Sequence, residues 1–144
     1  MIAIGCDHAA IELKEELVAY LLTKGVKVHD FGIAAGEKVD YPAMAFQVSD
    51  AVAAGDCALG VLLCGTGVGM SIAANKVKGI RAVCCSEPYS AKLSRQHNDS
   101  NVLCMGARVI GPETAKMILD EWLRAEFEGG RHAARVDMIM RNEK

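Results

Sequence analysis

The sequence predicts an α/β domain in which a mostly parallel five-stranded sheet is followed by a C-terminal helix. Two observations support this fold class. Five short apolar runs alternate with longer segments whose apolar residues recur every three or four positions, and this alternation is typical of parallel strands connected by helices. The chain has 144 residues, the length of one ordinary domain, so we expect residues 1–144 to form a single domain.

The predicted strands are short and apolar, and the predicted helices are longer and amphipathic. Residues 59–64 (LGVLLC) are apolar throughout, as expected for a central strand covered on both faces. The first helix ends at Gly25, and Pro42 near the first turn of the second is a favoured start. The strands are predicted at residues 1–6, 26–31, 59–64, 80–85 and 102–105. The helices are predicted at residues 10–24, 42–54, 70–75, 88–96, 112–127 and 132–144.

Composition excludes several classes of protein. Sixteen basic and 18 acidic residues leave a net charge of −2, which argues against binding nucleic acid through bulk charge. No run of 18 apolar residues predicts a membrane span, and the first residues lack the pattern of a signal peptide, so we expect a cytoplasmic protein. The six cysteines include no C-x-x-C pair and lie mostly in apolar runs, which disfavours a redox function and predicts that most are buried.

Polar residues follow the predicted strands where ligands of parallel sheets bind. Asp7 and His8 follow the first strand, Cys64 ends the third, and Ser86 and Glu87 follow the fourth. Because right-handed crossovers place strand-to-helix loops along one edge, we expect these groups to lie together at the carboxyl edge. Residues 97–99 (HND), just before the fifth strand, are expected to join them.

The strongest local signal is the glycine loop at residues 65–69 (GTGVG). Glycines at alternate positions let the backbone approach a ligand closely, and amides at the start of a helix favour an anion or a developing negative charge. No Gly-Lys-Ser/Thr follows, and Met70 occupies the third glycine position of the dinucleotide motif, so neither nucleotide-binding pattern fits. A tight turn with no ligand is the alternative.

Cys64 and two histidines are the candidate proton-transfer groups. A thiolate next to a helix N-terminus is stabilised, which suits Cys64 as a nucleophile or base, although a buried strand cysteine is an equal alternative. His8 and His97 can exchange protons near neutral pH, or they are surface or capping residues. No set of three or four residues has the spacing of a zinc site.

Three arginines could recognise a phosphate. Arg131 and Arg135 are four residues apart and share one face of a helix, and Arg108 follows the fifth strand. Guanidinium groups match phosphate oxygens with paired hydrogen bonds, although an ordinary solvated charged face is the alternative. Trp122 is expected in the core, and Cys84 and Cys85 are expected to pack within their strand.

Together these residues resemble the sugar-phosphate isomerase family that includes ribose-5-phosphate isomerase B and the galactose-6-phosphate isomerase subunits. The resemblance covers nearly the whole chain, in order and at the family's spacing. The matching segments are GCDH at 5–8, DYP at 40–42, CGTGVG at 64–69, SIAANK at 71–76, GIRA at 79–82, SRQHND at 94–99 and GGRH at 129–132.

The resemblance implies a Rossmann-like three-layer α/β/α sandwich that isomerises an aldose phosphate to a ketose phosphate without metal or organic cofactor. Cys64 is similar to the base that moves a proton between C1 and C2, His97 to the acid that opens the sugar ring, and Asp7 to its partner. Thr66 matches a catalytic position of the loop. The residues that match substrate-binding positions are His8, Tyr41, Gly65, Gly67, Val68, Gly69, Asn98, Arg108, Arg131 and Arg135.

The resemblance also implies a homodimer, or a dimer of dimers, whose site is shared between subunits, with His8 and the three arginines holding the phosphate. The expected substrates are ribose 5-phosphate and ribulose 5-phosphate. Two alternatives stay open: the same chemistry on a six-carbon sugar phosphate, such as allose 6-phosphate or galactose 6-phosphate, and a non-catalytic phosphometabolite or nucleotide-binding module. No nucleic acid or membrane partner is expected.

Overall fold

The computed structural model describes residues 1–33 and 36–143, which contain a five-stranded sheet whose neighbouring strands all pair in parallel. The strand order is β2-β1-β3-β5-β4. The strands are β1 Ile2–Cys6, β2 Val28–Asp30, β3 Leu59–Cys64, β4 Ala82–Cys84 and β5 Val102–Gly106. The predicted sheet is therefore confirmed.

The described part of the chain forms six helices beside the strands. They are α1 Ile11–Thr23, α2 Tyr41–Ala53, α3 Val68–Ala74, α4 Pro88–Asn98, α5 Pro112–Arg124 and α6 Arg131–Arg141. Two boundaries differ from prediction in a way that affects the site: α3 begins inside the glycine loop, and α4 continues to Asn98. Lys144, the last residue of the predicted C-terminal helix, lies outside the described residues.

The helices cover the sheet on both faces and bury two cores. Leu17 of α1, Ala91 of α4 and Trp122 of α5 belong to the core on one face. Val48 of α2 and Met70 of α3 belong to the core on the other face. This arrangement is the three-layer sandwich that the resemblance implied, and it explains why the central strands are apolar on both faces.

The chain changes direction beside β1, which creates a crevice at the carboxyl edge of the sheet. From β1 it moves outward to β2, and then returns across β1 to β3 on the other side. Ligands of such sheets bind outside the carboxyl ends of the strands at this switch point. Asp7 follows β1 and Cys64 ends β3, so both flank the crevice.

The helices between parallel strands run in the opposite direction, from the carboxyl edge back to the amino edge. Helix α4 starts after β4, and its 11 residues carry the chain about 16 Å toward the amino edge, where β5 begins. His97 and Asn98 end this helix. Residues before a strand therefore lie at the opposite edge from residues after one.

None of the helices formed by residues 1–33 and 36–143 has both the length and the apolar character that a membrane crossing requires.

Candidate active site

Cys64 lies at the end of β3 with its sulfur turned back toward the glycine loop. The residue is 5% exposed, and its Sγ accepts a hydrogen bond from the Gly67 amide at 3.1 Å. An N–H dipole directed at sulfur stabilises a thiolate more than a thiol. This contact holds the sulfur against the backbone of the glycine loop.

Gly67 makes this contact possible because it has a backbone conformation that other residues rarely adopt. Its φ is +82°, and a Cβ there would lie 2.9 Å from the Met105 carbonyl carbon. Gly67 also caps α3, which begins at Val68 rather than at the predicted residue 70. The loop is therefore a sharp turn packed directly onto β5, and its following amides start a helix.

Cys84 supports the other side of the same turn. Its thiol donates to the Thr66 carbonyl at 3.5 Å, and its sulfur would lie 3.1 Å from a Cβ on Gly67. Partial burial, together with nearby Cys64, raises the pKa of the Cys84 thiol. The prediction that Cys84 packs within the sheet is wrong, because this residue is exposed at the end of edge strand β4. The other five cysteines are buried, as predicted.

Three further side chains surround the loop. The Tyr41 ring packs so closely on Gly69 that a Cβ there would lie 2.5 Å from it. The Arg108 guanidinium lies beside Gly65, 3.6 Å from the place of a Cβ. Thr66 Oγ1 accepts the Val68 amide at 3.3 Å. The loop thus has an aromatic ring on one side and a positive charge on another.

Asp7 and His8 complete this group at the end of β1. Asp7 is 8% exposed, and its Oδ1 accepts the Ala9 amide at 2.9 Å. His8 is exposed and lines a cavity of about 530 Å³ that extends to Pro112. We call the set at this edge the carboxyl-edge cluster. It comprises Asp7, His8, Tyr41, Cys64, Gly65, Thr66, Gly67, Val68, Gly69 and Arg108.

His97 and Asn98 lie elsewhere, in the last turn of α4. Asp99 ends that helix in the left-handed region, at φ 49°, and its carboxylate accepts Arg81 Nη2 at 3.4 Å and Arg95 Nη1 at 3.5 Å. This paired charge holds the helix end in place. The expectation that 97–99 join the loops at the carboxyl edge is wrong, because α4 returns the chain to the amino edge.

His97 contacts Glu128, which lies in the connection between α5 and α6, and His132, which lies in the first turn of α6. Its ring stacks on His132, with centroids 4.2 Å apart and planes 9° from parallel. Glu128 Oε1 lies 3.7 Å from the Nε2 of His97 and 3.7 Å from that of His132. The Glu128 amide donates to the Gln96 carbonyl at 3.0 Å, which fixes this connection beside α4.

The electrostatic environment at this edge is mainly positive. Desolvation lowers the pKa of His132, as do the positive charges of His97 and Arg131, while Glu128 opposes them. Arg135 contributes in the same direction as Arg131. We call this set the amino-edge cluster. It comprises His97, Asn98, Glu128, Arg131, His132 and Arg135.

The sequence therefore identified residues of both clusters but wrongly placed residues 97–99 at the carboxyl edge. It missed the contacts of Cys84, Glu128 and His132, which depend on tertiary packing. The GGRH segment at 129–132 was the available signal for His132, since it is part of the resemblance. No familiar spacing links His97, Glu128 and His132, yet their ligand atoms all lie within 4.8 Å of one another.

Comparisons with known proteins agree with the fold. A family model described as Ribose/Galactose Isomerase matches residues 2–139. The chain is 62% identical over 138 residues to ribose-5-phosphate isomerase B of Escherichia coli (strain K12), covering 96% of this chain and 93% of that protein.

Two solved structures are also similar. Ribose-5-phosphate isomerase B of Clostridium thermocellum gives a TM-score of 0.95 at 51% identity, over 97% of this chain and 95% of that one. The Mycoplasma genitalium protein of the same name, with bound ribulose-5-phosphate, gives 0.93 at 43% identity, over 97% of this chain and 93% of that one. By sequence and by fold, this chain belongs to the ribose/galactose isomerase family and is an isomerase.

Proposed function

We propose that this chain interconverts ribose 5-phosphate and ribulose 5-phosphate, a reaction of the pentose phosphate pathway, through an enediolate. The observation that carries the proposal is Cys64 Sγ held against the Gly67 amide at 3.1 Å, at the start of a glycine loop. Removal of a proton next to a carbonyl needs a base beside preformed oxyanion stabilisation. Both are available here within six residues.

In the aldose-to-ketose direction, Cys64 takes the proton from C2 of the open-chain sugar, and the electron pair moves to the carbonyl oxygen. The Gly67 amide donates to Cys64 and the Val68 amide to Thr66, so the amides of Gly65 and Gly69 are the loop donors for the enediolate oxygens. The Thr66 hydroxyl can donate to one of the same oxygens. The same sulfur returns the proton to C1, while a proton moves from O2 to O1. No net oxidation occurs, because hydrogen only changes its position on the sugar.

Ring opening must precede this step, since an aldose 5-phosphate is mainly cyclic. His97 donates a proton to the ring oxygen, and Asp7 accepts the proton of the anomeric hydroxyl. These two residues belong to different clusters, at opposite edges of the sheet. One chain cannot supply both to the same sugar.

The site is therefore shared between subunits of a homodimer: the carboxyl-edge cluster of one faces the amino-edge cluster of the other. Exposed apolar residues lie next to both clusters and favour such docking, namely Val68 (51%) and Ile72 (59%) on α3, and Met138 (67%) and Ile139 (56%) on α6. Contiguous apolar side chains on a surface are typical of interfaces.

The phosphate binds among side chains from both subunits. His8 and Arg108 come from the carboxyl-edge cluster, and Arg131 and Arg135 come from the amino-edge cluster, while Tyr41 and Asn98 contact the sugar. These positively charged side chains suit a phosphate dianion, because each guanidinium can donate two hydrogen bonds to phosphate oxygens. Binding at the distal phosphate orients the reacting carbons.

A six-carbon sugar phosphate is the second candidate substrate, because the matching family model includes galactose isomerases. The distance between Cys64 and the phosphate-binding arginines across the interface sets the sugar length. Comparing kcat/KM for ribose 5-phosphate, allose 6-phosphate and galactose 6-phosphate distinguishes the two. A larger value for a six-carbon substrate would replace the first proposal.

The direct test is Cys64→Ala. Loss of the base lowers kcat by about 10²–10⁴-fold, whereas phosphosugar affinity measured by calorimetry changes little. Cys57→Ala is the matched control, because it removes a buried thiol just before the start of β3, at the opposite end of that strand from Cys64, and it retains activity. Turnover by Cys64→Ala at the wild-type rate would exclude this base.

The non-catalytic alternative, a module that only binds a phosphometabolite, would transfer no proton. A separate experiment tests for proton transfer. Ribulose 5-phosphate incubated with the wild-type chain in D₂O incorporates deuterium at C1 if the enediolate forms. Absence of exchange with every phosphosugar tested would favour the non-catalytic alternative.

A further inference from the structure

We propose that His97, Glu128 and His132 bind a divalent transition-metal ion, Zn²⁺ in particular, and that this ion reversibly inhibits the isomerase by occupying His97. Two imidazoles and a carboxylate are ligands that Zn²⁺ accepts in a tetrahedral site, with the fourth position open. Within residues 1–33 and 36–143, these three form the group whose ligand atoms all lie within 4.8 Å.

The distances are close to those of a zinc site. Ligand atoms of a tetrahedral site with bonds of about 2.0–2.1 Å are about 3.3–3.4 Å apart. Both imidazole Nε2 atoms are 3.7 Å from the same Glu128 oxygen, so these two separations must shorten by a few tenths of an ångström. All the ligand atoms lie within 4.8 Å of one another. The backbone bond from Glu128 to Gln96 keeps the carboxylate in position before the ion arrives.

Two features of the cluster disfavour metal binding and limit the affinity for Zn²⁺. The imidazole planes are only 9° from parallel, so the rings must rotate before both nitrogen lone pairs meet one ion. Arg131 and Arg135 also lie near His132 and repel a cation. These costs favour a weak, reversible site over a permanent structural one.

The inhibitory part rests on the proposed function, in which His97 is the ring-opening acid. A metal-bound imidazole nitrogen cannot donate a proton to the sugar. Zinc therefore blocks use of the cyclic aldose, and chelation with EDTA restores the activity.

Calorimetric titration with ZnSO₄ tests the site without any assay of activity. The wild-type chain is expected to bind one zinc ion per chain. The Glu128→Gln variant is expected to bind zinc at least about 10-fold more weakly. Glu126→Gln is the matched control: it changes an exposed carboxylate two residues away and binds zinc like the wild type. His132→Gln, checked for folding by circular dichroism, repeats the test with a second ligand.

The activity arm uses the same variants. The zinc concentration that halves ribose 5-phosphate turnover should rise at least about 10-fold in Glu128→Gln, with no change in Glu126→Gln. Inhibition of Glu128→Gln at the wild-type zinc concentration would overturn the inhibitory role. Equal zinc affinity in the wild type, Glu128→Gln and His132→Gln would overturn the site itself.

Cobalt distinguishes this site from the cysteines. Co²⁺ bound to imidazole and carboxylate lacks the intense sulfur-to-metal charge-transfer band, and a strong band would assign the metal to a thiolate such as Cys64 and overturn the proposal. If no phosphosugar is turned over, the proposed function fails, while calorimetry and the cobalt spectrum still test the metal site.

Discussion

The two clusters differ in how the fold holds them. The carboxyl-edge cluster is built on strand ends and backbone amides, and its central Cys64 is 5% exposed. The amino-edge cluster is built from side chains at helix ends and a connection, and the His97 side chain is 37% exposed. The first cluster is therefore held by the backbone of the chain, whereas the second carries its His97 side chain at the surface.

This contrast suggests a division of labour. Stabilising an enediolate needs rigid dipoles near the reacting carbons, which a strand-to-helix turn supplies. In the proposed function, ring opening and phosphate binding depend instead on long or titratable side chains, which the amino-edge cluster supplies. Each test variant in the following experiments alters one cluster and leaves the other intact.

The largest expected effect comes from mixing two inactive variants. Cys64→Ala impairs the carboxyl-edge cluster and His97→Asn impairs the amino-edge cluster. When the two are unfolded together and refolded, about half of the dimers are mixed, and each mixed dimer has one intact site, so about a quarter of wild-type activity returns. Ribose 5-phosphate turnover measures the recovery.

Refolding each variant alone is the control and restores no activity. A mixture that stays inactive, with mixed dimers shown by native mass spectrometry, would place the whole site within one subunit.

A second experiment deforms the carboxyl-edge cluster alone. The variant is Gly67→Ala. Gly67 has a φ of +82°, and a Cβ at this position would lie only 2.9 Å from the Met105 backbone. The turn must therefore shift, and the loop amides lose their alignment. We expect kcat/KM to fall about 10²–10³-fold, the effect of losing one oxyanion donor.

Gly79→Ala is the matched control, because its φ is +91° with nothing within 4 Å of a Cβ. Both variants lose about 1–2 kcal/mol of stability from the left-handed backbone, measured by urea unfolding. Equal activity in the two variants would show that the loop geometry is not needed for the reaction.

The smallest effect is a pH dependence in the amino-edge cluster. The pKa of His132 is lowered in the folded chain by desolvation and by nearby His97 and Arg131, so the unfolded chain binds this proton first as the pH falls. Stability is therefore fully present above the ordinary histidine pKa of about 6.5 and decreases below it. The melting temperature should fall less steeply on acidification in His132→Gln than in the wild type.

His29→Gln is the control for that measurement, because His29 lies on β2 and stacks on Phe31, away from both clusters. It should follow the wild-type curve. Identical slopes for His132→Gln and the wild type would remove His132 as the source of the pH dependence.

Local sequence predicted the carboxyl-edge elements well. The boundaries of β3 match the prediction, because six apolar residues followed by glycines define a buried strand and its end. The start of α3 was wrong by two residues, because it depends on the positive φ of Gly67. The end of α4 was also wrong, since charge pairs between Asp99, Arg81 and Arg95 extend it past Gln96.

By itself, the sequence determined the α/β class, the apolar strands, the thiol beside a glycine turn and the family, because each depends on residue order over short distances. Only the tertiary structure decided which candidates share an edge of the sheet. Helices reverse the chain between parallel strands, so His97 lies far from Cys64 and instead meets Glu128 and His132. A contact between residues about 30 positions apart depends on packing, and no local pattern records it.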